Sequence, residues 1–504
     1  MTEPKENASR GLIRSMLVIG SSQVVNIALS IARMKVLAVL LGSSGVGLLS
    51  IYKSLQDMVT NAAGLGMGSS GVREIASARG DGETLSRVRR VLLVAHLMQG
   101  TLAMLAVWFL RARISTWLLG DETRSTEVGL VGVVILLALF SSAQTALLQG
   151  LRRIGDLGRV TVVGAAASTV VGLFAVWIWR EAGLIWFLLA QPLATVLVAF
   201  YFTRKLPNEP SEPLDACGIW QIWKPMAQLG LAFMLGRLAT TATLLVVRGR
   251  ITQELDLEAA GYFAASWGIT MTYVGFLLGA MSADYYPRLT EVIHDRTAAI
   301  QLMNDQAQLG LAIGGPVILM MIGWAPWVIT LLYSDEFGPA VVLLQWQTVG
   351  NVFKLSSWAL SYSLVAAARA KTFFAMELSF NIVFVVLVLA FLPQFGLLIT
   401  AIAFLLGYVF YLTTSYLITR RVHGFRWQPL SLLLLGLHTG LSFALLALAR
   451  TIPLAAQIIA PILAVATGLF GLRVVLIKIG TAGRLTSRLA RIYDVIRWPI
   501  RSDT

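Results

Sequence analysis

The stretch "QWQTVGNVFKLSSWALSY", residues 345–362, decides how the chain is read. It lies in a run long enough to cross a bilayer, yet Lys354 sits at its middle. A fixed charge at the bilayer centre costs about 2.5–3.5 kcal/mol on insertion scales, so such a residue faces a bundle interior or a wet cavity and not lipid. Gln347, Asn351, Lys354, Ser357 and Ser361 recur at helical spacing, which puts the lysine on a polar stripe. A helix of this kind belongs to a multi-helix membrane protein with a hydrated interior.

The rest of the chain has the same character. Of 504 residues, 57% are hydrophobic and 13% are charged, and the mean hydropathy is +0.75. Apolar runs of about 20 residues recur from end to end, each sufficient at 1.5 Å per residue to span a hydrocarbon core of about 30 Å. The expected fold class is an all-α polytopic membrane protein with fourteen transmembrane helices, the first over 14–40 and the last over 453–477.

The net charge of +14 raises nucleic acid as a partner, but the cations gather in short loops between apolar spans, the positive-inside pattern. Nucleic acid is therefore excluded as a partner. A lone cysteine, Cys217, allows no internal disulfide, and His96, His294, His423 and His438 are too scattered for a metal site. No metal or cofactor is expected. The N-terminus lacks a signal-peptide layout, since its first apolar segment is too long and runs into another. "GMGSSG" (66–71) fits a dinucleotide fingerprint only formally: it closes a membrane span, without a preceding strand, and its small residues suit close packing or a bend. No Walker A sequence occurs, and the longest polar connection, 284–307, is too short for an extramembrane active site. Enzyme activity is not expected.

An even number of spans puts both termini on one side. Arg73, Arg79, Arg87, Arg152, Arg153, Arg204, Lys205, Arg420 and Arg421 share the N-terminal side. Far fewer cations, among them Arg111, Arg124, Arg180, Arg248 and Arg450, lie opposite, so both termini are expected in the cytoplasm. The Pro-rich stretch "KLPNEPSEPLDACG" (205–218) divides the first twelve helices six and six. The expected organisation is an N-lobe over 1–204, a cytoplasmic linker over 205–222 and a C-lobe over 223–422. Two further helices over 423–478 and a basic tail over 479–504 follow. Both lobes start from the cytoplasm, so their repeat should be parallel, with a pseudo-two-fold axis along the membrane normal. "GVGLLSIYKSL" (45–55) resembles "AAGYFAASWGI" (259–269) in support. In the tail, Leu485, Leu489, Ile492 and Ile496 form an apolar stripe flanked by Arg484, Arg488 and Arg491, as in an interfacial amphipathic helix.

Other spans carry polar stripes too. Gln23, Asn26, Ser30 and Arg33 align in the first, and Lys53, Asp57 and Asn61 in the second, where Lys53 and Asp57 can pair. Arg237, Thr241 and Arg248 share a face of the seventh, and Tyr262, Ser266 and Tyr273 one of the eighth. Arg33, Lys35, Lys53, Arg237 and Lys354 fall within spans against two acids, Asp57 and Glu377. This surplus of buried positive charge suits an anionic cargo. Arg33 and Lys35 differ by about 200° in helix angle, so one of the two can snorkel instead of facing a cavity.

These stripes lie within segments that resemble the polysaccharide-transport branch of the MOP superfamily, the bacterial flippases for lipid-linked oligosaccharides of the O-antigen and enterobacterial-common-antigen type. The resemblance covers most of 11–422. It is carried by "MKVLAVLLGSSGVGLLSIYKSL" (34–55), "RGRITQELDLEAAGYFAAS" (248–266), "SADYYPRLTEV" (282–292) and "WQTVGNVFKLSSWALSYSLVAAARAKTFFAMEL" (346–378). It implies two six-helix lobes, alternating access and an undecaprenyl-diphosphate-linked glycan moved from the cytoplasmic to the periplasmic leaflet of the bacterial inner membrane. It also implies membrane lipids, a polysaccharide polymerase and chain-length proteins as partners. Lys35 matches the family's basic residue before the first helix's terminal glycine, and Arg33 stands where related peptidoglycan-precursor flippases carry a cavity arginine. Lys53 and Lys354 sit where relatives carry basic residues, whereas Asn351 replaces an acid. The expected substrate-binding residues are Arg33, Lys35, Lys53, Arg237, Arg248 and Lys354, with Asp57 and Glu377 in charge pairing or ion coupling. Three alternatives stand beside this one: a multidrug or organic-ion antiporter of the same superfamily, a peptidoglycan-precursor flippase, and a non-transporting scaffold for polysaccharide assembly. The antiporter would want an acid in the first helix, which has none.

Overall fold

A computed structural model describes residues 3–206, 215–480 and 484–495, the stretch before 25 by its backbone alone. Every regular element among the described residues is helical. Ten segments are long and apolar enough to cross a membrane, and a bent helix brings the number to eleven.

The first helix, α1 (Glu3–Ala63), is two helices joined at Gly42, whose φ of 67° and ψ of −165° break the helical path. An L side chain rarely adopts that conformation, so glycine sets the break between what sequence periodicity gives as spans one and two. A second break follows at Leu65 and Gly66, both with positive φ, and α2 (Met67–Ser77) starts there. The second span thus ends at Ala63, short of the expected residue 70. Asp81 caps α3 (Gly82–Leu119) by accepting from the Glu83 and Thr84 amides. Then come α4 (Ser125–Gly150), α5 (Ile154–Trp179) and α6 (Gly183–Thr203), the last two parted by a 3-10 turn at Arg180–Ala182. The helix α7 (Ala216–Glu254) bends by 52° between Leu231 and Phe233.

The remaining helices are α8 (Leu257–Val292), α9 (Arg296–Leu332), α10 (Gly338–Ala366), α11 (Ala370–Phe395) and α12 (Leu398–His423). The chain closes with α13 (Pro429–Thr451), α14 (Pro453–Ile479) and α15 (Arg484–Val495). The connection expected over 284–307 is mostly helix: α8 runs to Val292 and α9 starts at Arg296.

Two compact units emerge. One comprises Met1–Gly261 with Leu332–Ser334, the other Tyr262–Leu331 with Asp335–Thr504. This division departs from a boundary at 205–222, because α7 packs with α1, α2 and α3. The reason is steric. A Cβ on Gly66 would lie 2.1 Å from the Gly230 carbonyl oxygen, and one on Gly230 would lie 2.1 Å from that of Leu65. The two backbones touch, and Ser70 Oγ donates to Met226 O at 2.7 Å beside them. Met67, Val91, Leu92, Leu147 and Met226 fill the core around this contact. The repeat-matched glycines Gly47 and Gly261 also meet, a Cβ on Gly47 falling 2.9 Å from the Gly261 nitrogen.

In the second unit α13 and α14 belong to the core: Leu434, Leu445, Ala456 and Ala460 pack with Ile318, Leu319 and Val349. Asn304 of α9 pins the start of α13, donating to Arg426 O at 3.0 Å and accepting from Ser431 Oγ at 2.8 Å. The tail helix docks on α14 through Tyr493, which is buried and donates to Leu469 O at 2.6 Å. Of its expected apolar stripe, the side chains of Leu485 and Ile492 and the whole of Ile496 lie outside the described residues.

Candidate functional site

Two cavities stand out among the described residues of the first unit. The smaller, about 290 Å³, lies among α1, α4 and α6 and is lined by Arg33, Lys53, Gln56, Ser141, Phe187 and Gln191. Pro192 of α6 also lines it; proline has no N–H to give the Leu188 carbonyl, and Leu188 faces the same space. Arg33 is half-buried and held by neutral groups. Its guanidinium donates to Gln191 Oε1 at 3.3 Å and to Ser30 Oγ at 3.4 Å, and lies 5.5 Å from the Phe187 ring centre. Lys53 pairs with Asp57 at 3.0 Å, one helical turn away, with both side chains nearly half exposed. No carboxylate is among the described residues that line this cavity. Lys35 is half-buried and lines neither cavity, in keeping with its angular separation from Arg33.

The larger cavity, about 490 Å³, opens where the chain breaks at Gly66, among α1, α2, α3, α4 and α7. Arg237, itself exposed, is the cation on its wall. Asn61, Ser69, His96, Ser142 and Gln149 supply polar groups.

Arg248, expected as a binding residue, lines neither space. It donates to Ser50 O at 3.0 Å and also bonds Ser54 Oγ, so it staples α7 to the second segment of α1. The sequence reading put Arg237 and Arg248 on one face; the distance between them along α7 lets one reach a cavity while the other is spent on packing.

In the second unit, Lys354 is half-buried and forms no salt bridge among the described residues. Its ammonium lies 5.1 Å from the Tyr408 ring centre, a cation–π contact, and 3.4 Å from Met271 Sδ. Glu377 is near enough to interact with it electrostatically and accepts a hydrogen bond from the Tyr411 hydroxyl. The stripes of α8 and α10 meet: Asn351 Nδ2 donates to Tyr273 Oη at 2.6 Å, and Thr270 Oγ1 to Gln347 Oε1 at 2.9 Å. Gln347 Nε2 and Asn351 Oδ1 are buried without partners. Ser357 and Ser361 turn back onto their own helix, donating to Lys354 O and Trp358 O.

Sequence reasoning missed Gln191, Phe187, Tyr408 and Tyr411, and weighed His96 only as a metal ligand. None carries a formal charge at neutral pH that would have drawn attention inside an apolar span, although Gln191 beside Pro192 was a visible irregularity. Gln23, on the expected stripe of α1, has its side chain outside the described residues. Among the described residues no cluster of His, Cys, Asp and Glu could hold a metal ion.

A family described as polysaccharide biosynthesis protein matches residues 12–293, over half the chain. The lipid III flippase of Escherichia coli (strain K12) is 24% identical over 412 residues, spanning 79% of this chain and 96% of that protein. Its Shigella flexneri counterpart aligns to the same extent. Among solved structures, an inward-facing multidrug resistance MATE family transporter of the MOP superfamily superposes with a TM-score of 0.68 at 15% identity, over 81% of this chain and 98% of that one. The lipid II flippase MurJ, in an inward closed conformation, superposes with a TM-score of 0.65 at 13% identity, over 90% and 98%. The fold is that of the MOP-superfamily transporters.

Proposed function

The chain belongs to the polysaccharide biosynthesis protein family, and on that premise we propose that it is a flippase for an undecaprenyl-diphosphate-linked oligosaccharide. The cargo passes from the cytoplasmic to the periplasmic leaflet of the inner membrane by alternating access. The observation that carries this reading is Arg33: a guanidinium in a membrane cavity, held by the neutral groups Gln191, Ser30 and Phe187, with Lys53, paired to Asp57, on the same wall and no acid among the described residues that line the space. Such a place favours an anion and repels an organic cation. Arginine grips a phosphate bidentately, whereas lysine acts as a point charge. In this reading Arg33 and Lys53 hold the diphosphate, and Arg237 and Lys354 meet it along its path. The kinship with a lipid III flippase supports a lipid-linked cargo.

Fourteen crossings suit this role. Gly42 and the turn at Arg180–Ala182 each divide one of the ten apolar segments, and α7 and the polar-striped α10 supply two more. Both termini then lie in the cytoplasm, as the loop cations require. Two six-helix repeats related by a pseudo-two-fold axis, the second starting with α7 although that helix packs within the first compact unit, with α13 and α14 following, are part of the same proposal, as are a polymerase and chain-length proteins as partners.

No coupled ion is required. Moving about two negative charges outward across an inside-negative potential releases roughly 4–5 kcal/mol per 100 mV. Everted vesicles should translocate radiolabelled lipid-linked oligosaccharide and ignore an organic cation. Replacing Lys354 with alanine should abolish complementation of a flippase-deficient strain while the protein stays in the membrane at wild-type abundance. Full complementation by that variant would remove Lys354 from the mechanism.

A further inference from the structure

The larger cavity of the first unit has a chemistry of its own. Its volume, about 490 Å³, is that of a small-ligand pocket. Among the described residues on its wall the one charged side chain is Arg237; the rest of its polarity is neutral, from groups such as Asn61, Ser69 and Gln149. Phe233, half exposed, presents a ring to the same space.

Two polar atoms of residues on this wall are buried without a hydrogen-bond partner: His96 Nε2 and Thr60 Oγ1. His96 is 1% exposed, and its Nδ1 lies 2.9 Å from Leu92 O. A carbonyl oxygen can only accept, so Nδ1 carries the proton, and a neutral ring then keeps a free lone pair on Nε2. Buried groups left in that state are costly unless something occupies the space beside them. The complement is a molecule rich in hydroxyl groups.

The position is equally informative. On α1, Gln56 lines the cavity of Arg33 and Lys53, while Thr60 lines the second; four residues are one turn, about 6 Å along the axis. On α4, Ser141 faces the first cavity and Ser142 the second. An anionic group in one cavity and a hydroxyl-bearing group joined to it would lie within reach of both.

We infer that the larger cavity is a carbohydrate subsite that receives the sugar attached to the diphosphate. Sugar hydroxyls donate to His96 Nε2 and bond Thr60 Oγ1, the amides of Asn61 and Gln149 bond others, and Phe233 packs on an apolar ring face. The inference rests on the flippase reading. It adds that the glycan is recognised through the neutral groups of a wall on which Arg237 is the charged exception, apart from the diphosphate's seat at Arg33 and Lys53.

The test uses the full chain in lipid nanodiscs and two soluble probes, farnesyl diphosphate and farnesyl diphosphate bearing one N-acetylglucosamine, with affinity read by calorimetry. The sugar should tighten binding about tenfold, equivalent to one or two well-made hydrogen bonds. His96→Leu should erase most of that gain and leave farnesyl diphosphate affinity within about twofold of wild type. Gln149→Leu should do the same in part, which keeps the inference decidable if the histidine variant does not fold. Equal affinity of the wild type for both probes would mean that the cavity holds only water, and would overturn the inference. Equal weakening of both probes by His96→Leu would overturn it too. Failure of farnesyl diphosphate itself to bind would instead bring down the phosphate site, and with it the flippase reading.

Discussion

Arg33 and Arg248 are both arginines within membrane helices of the first unit, and their neighbours give them opposite tasks. Arg33 touches a glutamine, a serine and a phenylalanine beside open space. Arg248 is committed to a backbone carbonyl and a serine hydroxyl of the neighbouring helix. Replacing Arg248 with methionine should therefore lower stability by about 1.5–3 kcal/mol, the worth of hydrogen bonds to a charged group. It should leave affinity for farnesyl diphosphate unchanged. Thermal unfolding in detergent together with calorimetry separates the two effects, and loss of affinity in a stable Arg248→Met protein would return that residue to the binding set. The pairing of Lys53 with Asp57 was legible from their spacing of four. The environments of the two arginines were not, because a sequence records which face a residue is on but not what stands opposite it.

At the scale of elements, backbone breaks do more than hydrophobicity to shape the first unit. Gly42 parts the two halves of α1, and Gly66 ends the second half, starts α2 and opens the larger cavity. Gly66→Ala faces two penalties: a left-handed backbone, which costs about 1–2 kcal/mol for an L residue, and a Cβ 2.1 Å from the Gly230 carbonyl oxygen. That variant should be expressed poorly or unfold well below the wild type in a thermal scan, whereas Gly80→Ala, with open space around it, should behave as wild type. "GMGSSG" thus proves to be a packing and bending device, as its position at the end of a span suggested. The helix α10 shows the opposite difficulty: its polar stripe keeps it out of the ten strongly apolar segments, though Lys354 and Asn351 on that stripe face groups of α8, α11 and α12.

At the scale of the whole molecule, the proposed topology puts Cys217, exposed at the start of α7, on the cytoplasmic side. It is the chain's lone cysteine, so a membrane-impermeant maleimide should label the native protein in everted vesicles and leave it unlabelled in intact spheroplasts. The reverse pattern would invert the topology. The all-helical membrane class, the polar stripes and the cationic character of the buried positions were determined by the sequence alone, because insertion into lipid acts on composition and helical period, both local properties. Tertiary structure alone decided that α7 joins the first unit and that α13 and α14 are built into the core of the second. It also decided which arginine faces a cavity and that His96 stands at the wall of one. Those outcomes depend on glycine contacts and side-chain partners far apart in the chain, and no local pattern encodes a distance between helices.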